Sequence, residues 1–316
     1  MTDNNPVKLG LVGAGRWGQN YIRTIAETDG IGLHRIASSN QNIREIISTE
    51  TLVSKSWKAL IEEKDIDGLV LAVPPTVQPI IARAALRYGI PLLLEKPLAL
   101  NIKVANEIVS LSKENDVFVM VDNLYLFHPA FKMLKEEIES HGSSIISIES
   151  VSGNYGPFRS ECPSLWDWGP HDVAMCFSLV EDKHYEVSAY EQAPSGNRSI
   201  DGKNYIVNIN FNSGIQVKLR FGNLMAEKIR LFNVTTDRGE YIFNDLASDK
   251  LVFKKNNGNE IPIEISDHSP LHNVVDAFVR SVKFNDAYSD DLENSTDIVK
   301  TLERIQSRVK DSIHDK

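Results

Sequence analysis

The chain has 316 residues, 42% hydrophobic and 24% charged, with a formal net charge of -9. That length suggests two domains on a prior of about 100–200 residues each, with core enough to need no staples. The two cysteines, Cys162 and Cys176, cannot build a disulfide framework or a CxxC metal centre, so no metal site is expected, and the acidic balance excludes a binder of nucleic-acid phosphates. No apolar run reaches the roughly 18 residues of a membrane span, and the start, Met1 to Pro6, is polar rather than a signal peptide, so a cytoplasmic protein with no membrane partner is expected.

The first half alternates strand and helix. Val7–Val12 is an apolar strand that runs into a glycine cluster, and Tyr21, Ile22, Ile25 and Ala26 recur at helical spacing. Leu33–Ser38 reads as a second strand, and a second helix is expected to begin over Ile43–Ile47. Gly68–Val73 is a buried strand stopped by Pro74 and Pro75. Pro79–Tyr88 is a helix closed by Gly89, and Pro91–Leu94 is a further buried strand. Val104–Lys113 forms a helix and Val117–Val121 a strand. Apolar strands separated by helices predict a doubly wound parallel sheet covered on both faces.

After a helix over Ala130–Glu139, strands dominate. Ile145–Val151, Tyr185–Tyr190, Tyr205–Phe211, Ile215–Phe221, Lys228–Thr235 and Tyr241–Phe243 partly alternate apolar with polar residues. Turns such as Asn212-Ser213-Gly214 and Asp237-Arg238-Gly239 join several of them. Such alternation predicts an antiparallel sheet with one buried face, in an α+β domain that ends with helices near Leu271–Lys283 and Asp297–Val309. The boundary falls near Asn123, giving one domain over 1–123 and another over 124–316.

Gly13-Ala14-Gly15-Arg16-Trp17-Gly18 is a G-x-G-x-x-G between a strand and a helix, the context that makes it a dinucleotide loop. Gly13 permits the tight turn, Gly15 the approach of a pyrophosphate, and Gly18 close helix–strand packing, while the helix N-terminus offers N–H groups to phosphate. The acid expected about 20 residues on, for the adenosine ribose, is missing. Ser38, Ser39 and Asn40 stand there instead. Losing that charge removes repulsion against a 2′-phosphate, which Arg16 or Arg44 could meet. Equally, Ser38 or Asn40 could bond the hydroxyls of NAD, and both NAD and NADP stay open.

Glu95-Lys96-Pro97 follows a buried strand, at the edge where open α/β sheets bind ligands. A lysine there can transfer a proton or donate to a substrate hydroxyl, or it can be one half of a surface ion pair. Asp167 and His171 lie in Leu165-Trp166-Asp167-Trp168-Gly169-Pro170-His171-Asp172. If a helix starts near Gly169, the two could converge on one pocket, with His171 as proton shuttle and Trp166 and Trp168 as walls. Read alone, the same spacing fits a capping Asp and a core His.

These motifs in this order, with Ala72-Val73-Pro74-Pro75 and Phe127-His128-Pro129-Ala130, resemble the glucose-fructose oxidoreductase / inositol dehydrogenase / rhizopine-catabolism (Gfo/Idh/MocA) family along essentially the whole chain. The resemblance implies a dinucleotide-binding Rossmann domain and a substrate-binding and oligomerisation domain with a large open, mainly antiparallel sheet, assembled as a homo-oligomer (dimer or tetramer). It implies that Lys96, Asp167 and His171 are catalytic and that Val73, Pro74, Pro75, Gln78, Glu95 and Lys96 join the glycine loop in holding NAD or NADP. The implied reaction passes a hydride between nicotinamide and a secondary alcohol of a sugar, cyclitol or nucleotide sugar. Asn123, Tyr125, Asn154, Arg159 and Trp166 are the expected substrate contacts. Gln78 stands where many members have His, Leu126 where many have Arg, and Ser39 where many have Asp. A non-catalytic sensor and an NAD-dependent glycosidase are the competing readings. Retention of Lys96, Asp167 and His171 speaks against the sensor, and the intact Glu-Lys-Pro against the glycosidase.

Overall fold

The computed structural model describes residues 6–192, 202–284 and 291–314, so most of the polar start, Met1–Asn5, lies outside the described residues. The chain divides into two units, one running to Leu124 and regaining Ser269–Val299, the other comprising Tyr125–His268 and the chain from Lys300. The sequence reading assigns 124–316 to one domain, whereas Ser269–Val299 groups with the first unit.

The first unit contains β1 (Val7–Val12), α1 (Arg16–Glu27), β2 (Ile31–Ala37), β3 (Leu52–Val53) and α2 (Trp57–Glu62). It continues through β4 (Gly68–Leu71), α3 (Gln78–Arg87), β5 (Leu92–Glu95), α4 (Ile102–Asn115) and β6 (Val119–Asp122). The strands form one parallel sheet in the order β3-β2-β1-β4-β5-β6, the doubly wound dinucleotide-fold order. Central strands β4 and β5 read Gly-Leu-Val-Leu and Leu-Leu-Leu-Glu because helices cover both faces and leave no polar side. Their Leu69, Val70, Leu71, Leu92, Leu93 and Leu94 are wholly buried.

The expected second helix is a single 3-10 turn, Ile43–Glu45. Asn40 Oδ1 accepts from the Asn42 N–H just before it, a side-chain turn that competes with helix. The short β3 and α2 carry too few residues to show a period. Ser56 nevertheless caps α2, accepting from the Ala59 N–H at 3.2 Å.

The second unit holds α5 (Pro129–Ser140), β7 (Ile145–Tyr155), α6 (Ser164–Leu179), β8 (Tyr185–Gln192), β9 (Asn204–Phe211) and β10 (Gln216–Gly222). Then come β11 (Leu224–Thr236), β12 (Gly239–Asn244), β13 (Leu251–Lys255) and β14 (Glu260–Pro262). Its eight strands run β14-β13-β12-β11-β7-β10-β9-β8, antiparallel throughout except for the central β7–β10 pair. Cross-strand register puts Ile148 beside Val234, Ser150 beside Phe232 and Ser152 beside Arg230. Those residues share one face by the two-residue period of a strand, and α6 packs there, since Ser150 and Ser152 both bond its Asp172.

Helix α6 starts at Ser164, not near Gly169, so Asp167 lies inside it. Pro163 O accepts from the N–H groups of Trp166 and Asp167 and begins the helix five residues early, with Pro170 tolerated inside. A Cβ on Gly169 would sit 2.8 Å from Leu302 and 3.1 Å from Phe221, so close packing selects glycine there.

The last helices are α7 (Pro270–Phe284) and α8 (Asp291–His314). In the first unit Phe278 of α7 stacks on Phe118 at 6.2 Å and lies against Gly68, where any Cβ would meet its ring at 2.9 Å. Among the described residues, no helix is long and apolar enough to cross a membrane.

Candidate functional site

In the first unit the glycine loop is built as its spacing predicts. Gly13 has φ +98°, and a Cβ there would lie 2.2 Å from the Ala72 carbonyl oxygen. A Cβ on Gly18 would lie 2.2 Å from the Gly13 carbonyl oxygen, so only glycine lets α1 start this close to β1. Around Gly15 the opposite holds: nothing stands within 4 Å of the Cβ position. Two glycines are thus demanded by protein and the middle one by empty space, a cradle that fits a pyrophosphate at the start of a helix. Gly15 caps α1 without any side-chain hydrogen bond, which leaves the first N–H groups for a ligand. Ala14 is buried beneath the loop, whereas Arg16 and Trp17 are exposed.

Ser38 Oγ accepts from the Asn40 N–H at 3.1 Å, and Ser39 is exposed just past β2. Arg44 donates to the Thr51 carbonyl at 2.9 Å, which commits one of its nitrogens to the loop. Val73 and Pro75 are half-buried and Pro74 exposed in the turn after β4, and the Pro74 carbonyl accepts from Val77 and Gln78. Gln78 is buried at the head of α3, and its Nε2 donates to the carbonyls of Glu95 at 2.8 Å and Pro97 at 3.1 Å. It therefore clamps the turn that carries Lys96, whose peptide to Pro97 is cis.

Beneath Lys96 lies a group of acids that the spacing did not reveal. Tyr21 donates to Asp122 Oδ2 at 2.6 Å, with the Glu95 carboxyl beside them. Burial pushes the Asp122 carboxyl up to about 6, against the lowering effect of the Tyr21 hydrogen bond and the Lys96 charge. Burial and then the Asp122 charge raise Glu95, with Lys96 opposing. β5 and β6 pair Glu95 with Asp122, so adjacent strand ends bring the acids together. Asn123, an expected substrate contact, is buried and spends its Nδ2 on Ser295 Oγ at 3.0 Å.

The second unit holds a pocket that opens to solvent, with about 310 Å³ of empty space counting the open part. Tyr125, Trp168, His171, Asp172, Arg230 and Asp245 are among the residues around it. Tyr125 stands edge-on to His171 with ring centroids 5.2 Å apart. Asp167 and His171 are one helical turn apart on α6, so they share a face, and Arg159 donates to Asp167 at 3.4 Å. Asn154 is half-buried near the end of β7. Trp166 does not wall the cavity: it is buried and donates from Nε1 to Gln306 at 2.7 Å, and Trp168 is the tryptophan that lines it.

Around the pocket also stand Arg230, Asp172 and Asp245, with His128 bonded to the last, and the sequence reading gives none of them a role. Asp172 accepts from Ser150 at 2.7 Å and from Ser152 at 2.5 Å, and burial raises its carboxyl in spite of both bonds. His128 caps α5: its Nδ1 accepts from the Ala130 N–H at 3.1 Å. That assigns the proton to Nε2, which meets Asp245 at 3.1 Å. Lys250 donates to the same carboxylate at 2.8 Å. Burial would raise Asp245, but the His128 and Lys250 bonds win and hold it at about 2. Strand register held a signal for some of these. Ser150, Ser152 and Arg230 sit at positions where the alternation with Ile148, Phe232 and Val234 calls for apolar residues.

Comparison with known proteins agrees with this geometry. Residues 7–123 match the family model described as "Oxidoreductase family, NAD-binding Rossmann fold". A solved structure from Magnetospirillum magnetotacticum, assigned to the oxidoreductases, is 31% identical with TM-score 0.87 and covers 95% of this chain and 99% of its own. Inositol 2-dehydrogenase of Acidothermus cellulolyticus is 28% identical over 145 residues, 44% of this chain and 42% of that protein. The chain spans about half the length of the curated relatives it matches. UDP-N-acetylglucosamine 3-dehydrogenase of Acidithiobacillus ferrooxidans shares the fold, with TM-score 0.83 at 15% identity over 96% of this chain and 97% of that one.

Proposed function

Since this chain belongs to the Gfo/Idh/MocA oxidoreductase family, we propose that it is an NAD(P)-dependent dehydrogenase or reductase acting on a secondary alcohol of a sugar, cyclitol or nucleotide sugar. The observation that carries this reading is the glycine cradle, where protein atoms crowd Gly13 and Gly18 and nothing fills the space over Gly15. When bound, the dinucleotide supplies or takes the hydride. The cradle and the α1 N-terminus hold its pyrophosphate. Lys96, set at the C-terminal end of β5 by the Gln78 clamp, donates to the substrate oxygen and favours its alkoxide character. His171, lining the cavity, takes the hydroxyl proton in oxidation and returns it in reduction. Asp167 orients substrate or imidazole from the same helix face.

The test is a titration with NADH and NADPH followed by tryptophan fluorescence, then a screen of sugars, cyclitols and nucleotide sugars for dinucleotide reduction. Saturable binding and turnover of at least one polyol are expected. Failure to bind either dinucleotide overturns the reading.

A further inference from the structure

Arg230 is an anomaly on its strand. It occupies a position between β7 and α6 where Phe232 and Val234, its neighbours on the same face, are buried and apolar. Its guanidinium lies 4.2 Å over the Trp168 ring, so one flat side is held by an aromatic face. Nη1 donates to the carbonyls of Ile229 at 2.9 Å and Gly153 at 3.4 Å. Beyond those carbonyls and the Tyr125 phenol it has no acceptor among the described residues, and no carboxylate of theirs lies within 4.0 Å of it.

Of the two acids of the same cavity, Asp172 feels the Arg230 charge and Asp245 does not, and neither bonds the guanidinium. Asp172 is bonded at both oxygens by Ser150 and Ser152. Asp245 is held by His128 and Lys250. Arg230 is half-buried and bonds only backbone carbonyls and a phenol, so its fork keeps N–H donors for an acceptor from outside the chain. A second, independent vacancy stands beside it. Trp168 is 7% exposed, and its Nε1–H is buried with no acceptor among the described residues. Buried donors of that kind are nearly always paired in a working protein. Arg230 and Trp168 line one pocket, a forked cation and an indole N–H are both donors, and what suits them is a compact group rich in oxygen acceptors.

We propose that the substrate carries an anionic oxygen group, a carboxylate or a phosphoryl group, which docks on Arg230 and the Trp168 indole N–H. This names the substrate class of the cavity and rests on the dehydrogenase reading above. His171 lines the same cavity, so the anion anchors the sugar while the imidazole faces a hydroxyl. Arg230 is then a specificity residue rather than a proton carrier.

The experiment follows the four tryptophan indole N–H resonances of the full chain by NMR, with the Trp168 signal identified in Trp168→Phe. The probes are D-glucuronate, D-glucose 6-phosphate, inorganic phosphate and neutral D-glucose. A saturable shift of the Trp168 signal is expected with the anions and none with glucose. Arg230→Gln should weaken the anions at least tenfold, and Arg230→Lys should weaken them less, with thermal melting confirming that both variants fold. Tighter binding of glucuronate identifies a carboxylate, and tighter binding of glucose 6-phosphate a phosphoryl group. Silence of the Trp168 signal towards all three anions, or equal anion affinity in wild type and Arg230→Gln, overturns the proposal. Anion binding that depends on Arg230, with no sugar ever reducing a dinucleotide, would sink the dehydrogenase reading and leave this subsite standing.

Discussion

The two units shape their candidate sites with different parts of the chain. In the first, backbone does the work: three glycines within six residues shape a cradle that any side chain would spoil or fill. In the second, side chains from α6, β7, β11 and the segments around them gather at a cavity, and every polar atom needs a named partner. A backbone site is local in sequence. A side-chain site is assembled from residues as far apart as Tyr125 and Asp245.

The contrast breaks most visibly at the glycines. Gly15→Val should abolish dinucleotide binding, raising Kd more than 100-fold by fluorescence titration, with little change in melting temperature, because nothing in the protein opposes the new side chain. Gly18→Ala should instead lower stability by about 2–4 kcal/mol in urea unfolding, since its Cβ would collide with a carbonyl. If both variants behaved alike, the division between protein-crowded and ligand-facing glycines would be wrong.

Next in size are the proposed proton carriers. Lys96→Ala and His171→Ala should each cut kcat by about 10²–10⁴ and leave dinucleotide Kd within about twofold. Unchanged turnover in both would remove the mechanism.

A third prediction sharpens the comparison through acid. Asp122 sits at about 6 in the folded first unit, above its ordinary 3.8. Between about pH 4 and 6 the unfolded chain has lost that proton and the folded chain still holds it. The Asp122 contribution to stability therefore declines as pH rises through that window and stays reduced above it. Asp122→Asn, which can still accept from Tyr21, should recover up to about 3 kcal/mol at pH 7.5 and nearly nothing at pH 4, measured by urea unfolding. Asp245 in the second unit runs the other way. Held at about 2, its contribution is complete above about 4 and is lost only as pH falls towards 2. Mild acid should thus favour the first unit before it harms the second, and hydrogen exchange at pH 5 against pH 7 would show the sign in each.

The smallest effect is the helix cap. His128→Ala removes the acceptor for the Ala130 N–H and should cost about 1–2 kcal/mol, whereas His128→Asn keeps a capping side chain and should recover part of it. Equal losses would assign the cost to the Asp245 contact.

What could be read in advance follows the same division. The parallel sheet announces itself in runs such as Leu92-Leu93-Leu94, because burial on both faces permits no polar residue. The glycine loop is legible because its chemistry is contained in six adjacent positions. The sequence reading places the start of α6 near Gly169, five residues late, whereas Pro163 opens the helix. Arg230 lies in no motif, and Asp172 only closes the segment that draws attention to Asp167 and His171. Their meaning comes from register, which joins Arg230 to Ser152 and Ser152 to Asp172 only once the strands are paired. Trp166 and Asn123 show the converse: each looks chemical in line, and in the fold each bonds a neighbour distant in sequence, Gln306 and Ser295.

The contact of Phe278 with Phe118 and Gly68 has a consequence for how the protein is made. The strands of the first sheet leave the ribosome before the second unit, yet the aromatic ring that closes over them is encoded after β14. The nascent sheet must wait, partly uncovered, through synthesis of nearly the whole second unit. A premature stop codon after β14 would therefore spare every residue of the glycine cradle and still deprive its sheet of cover.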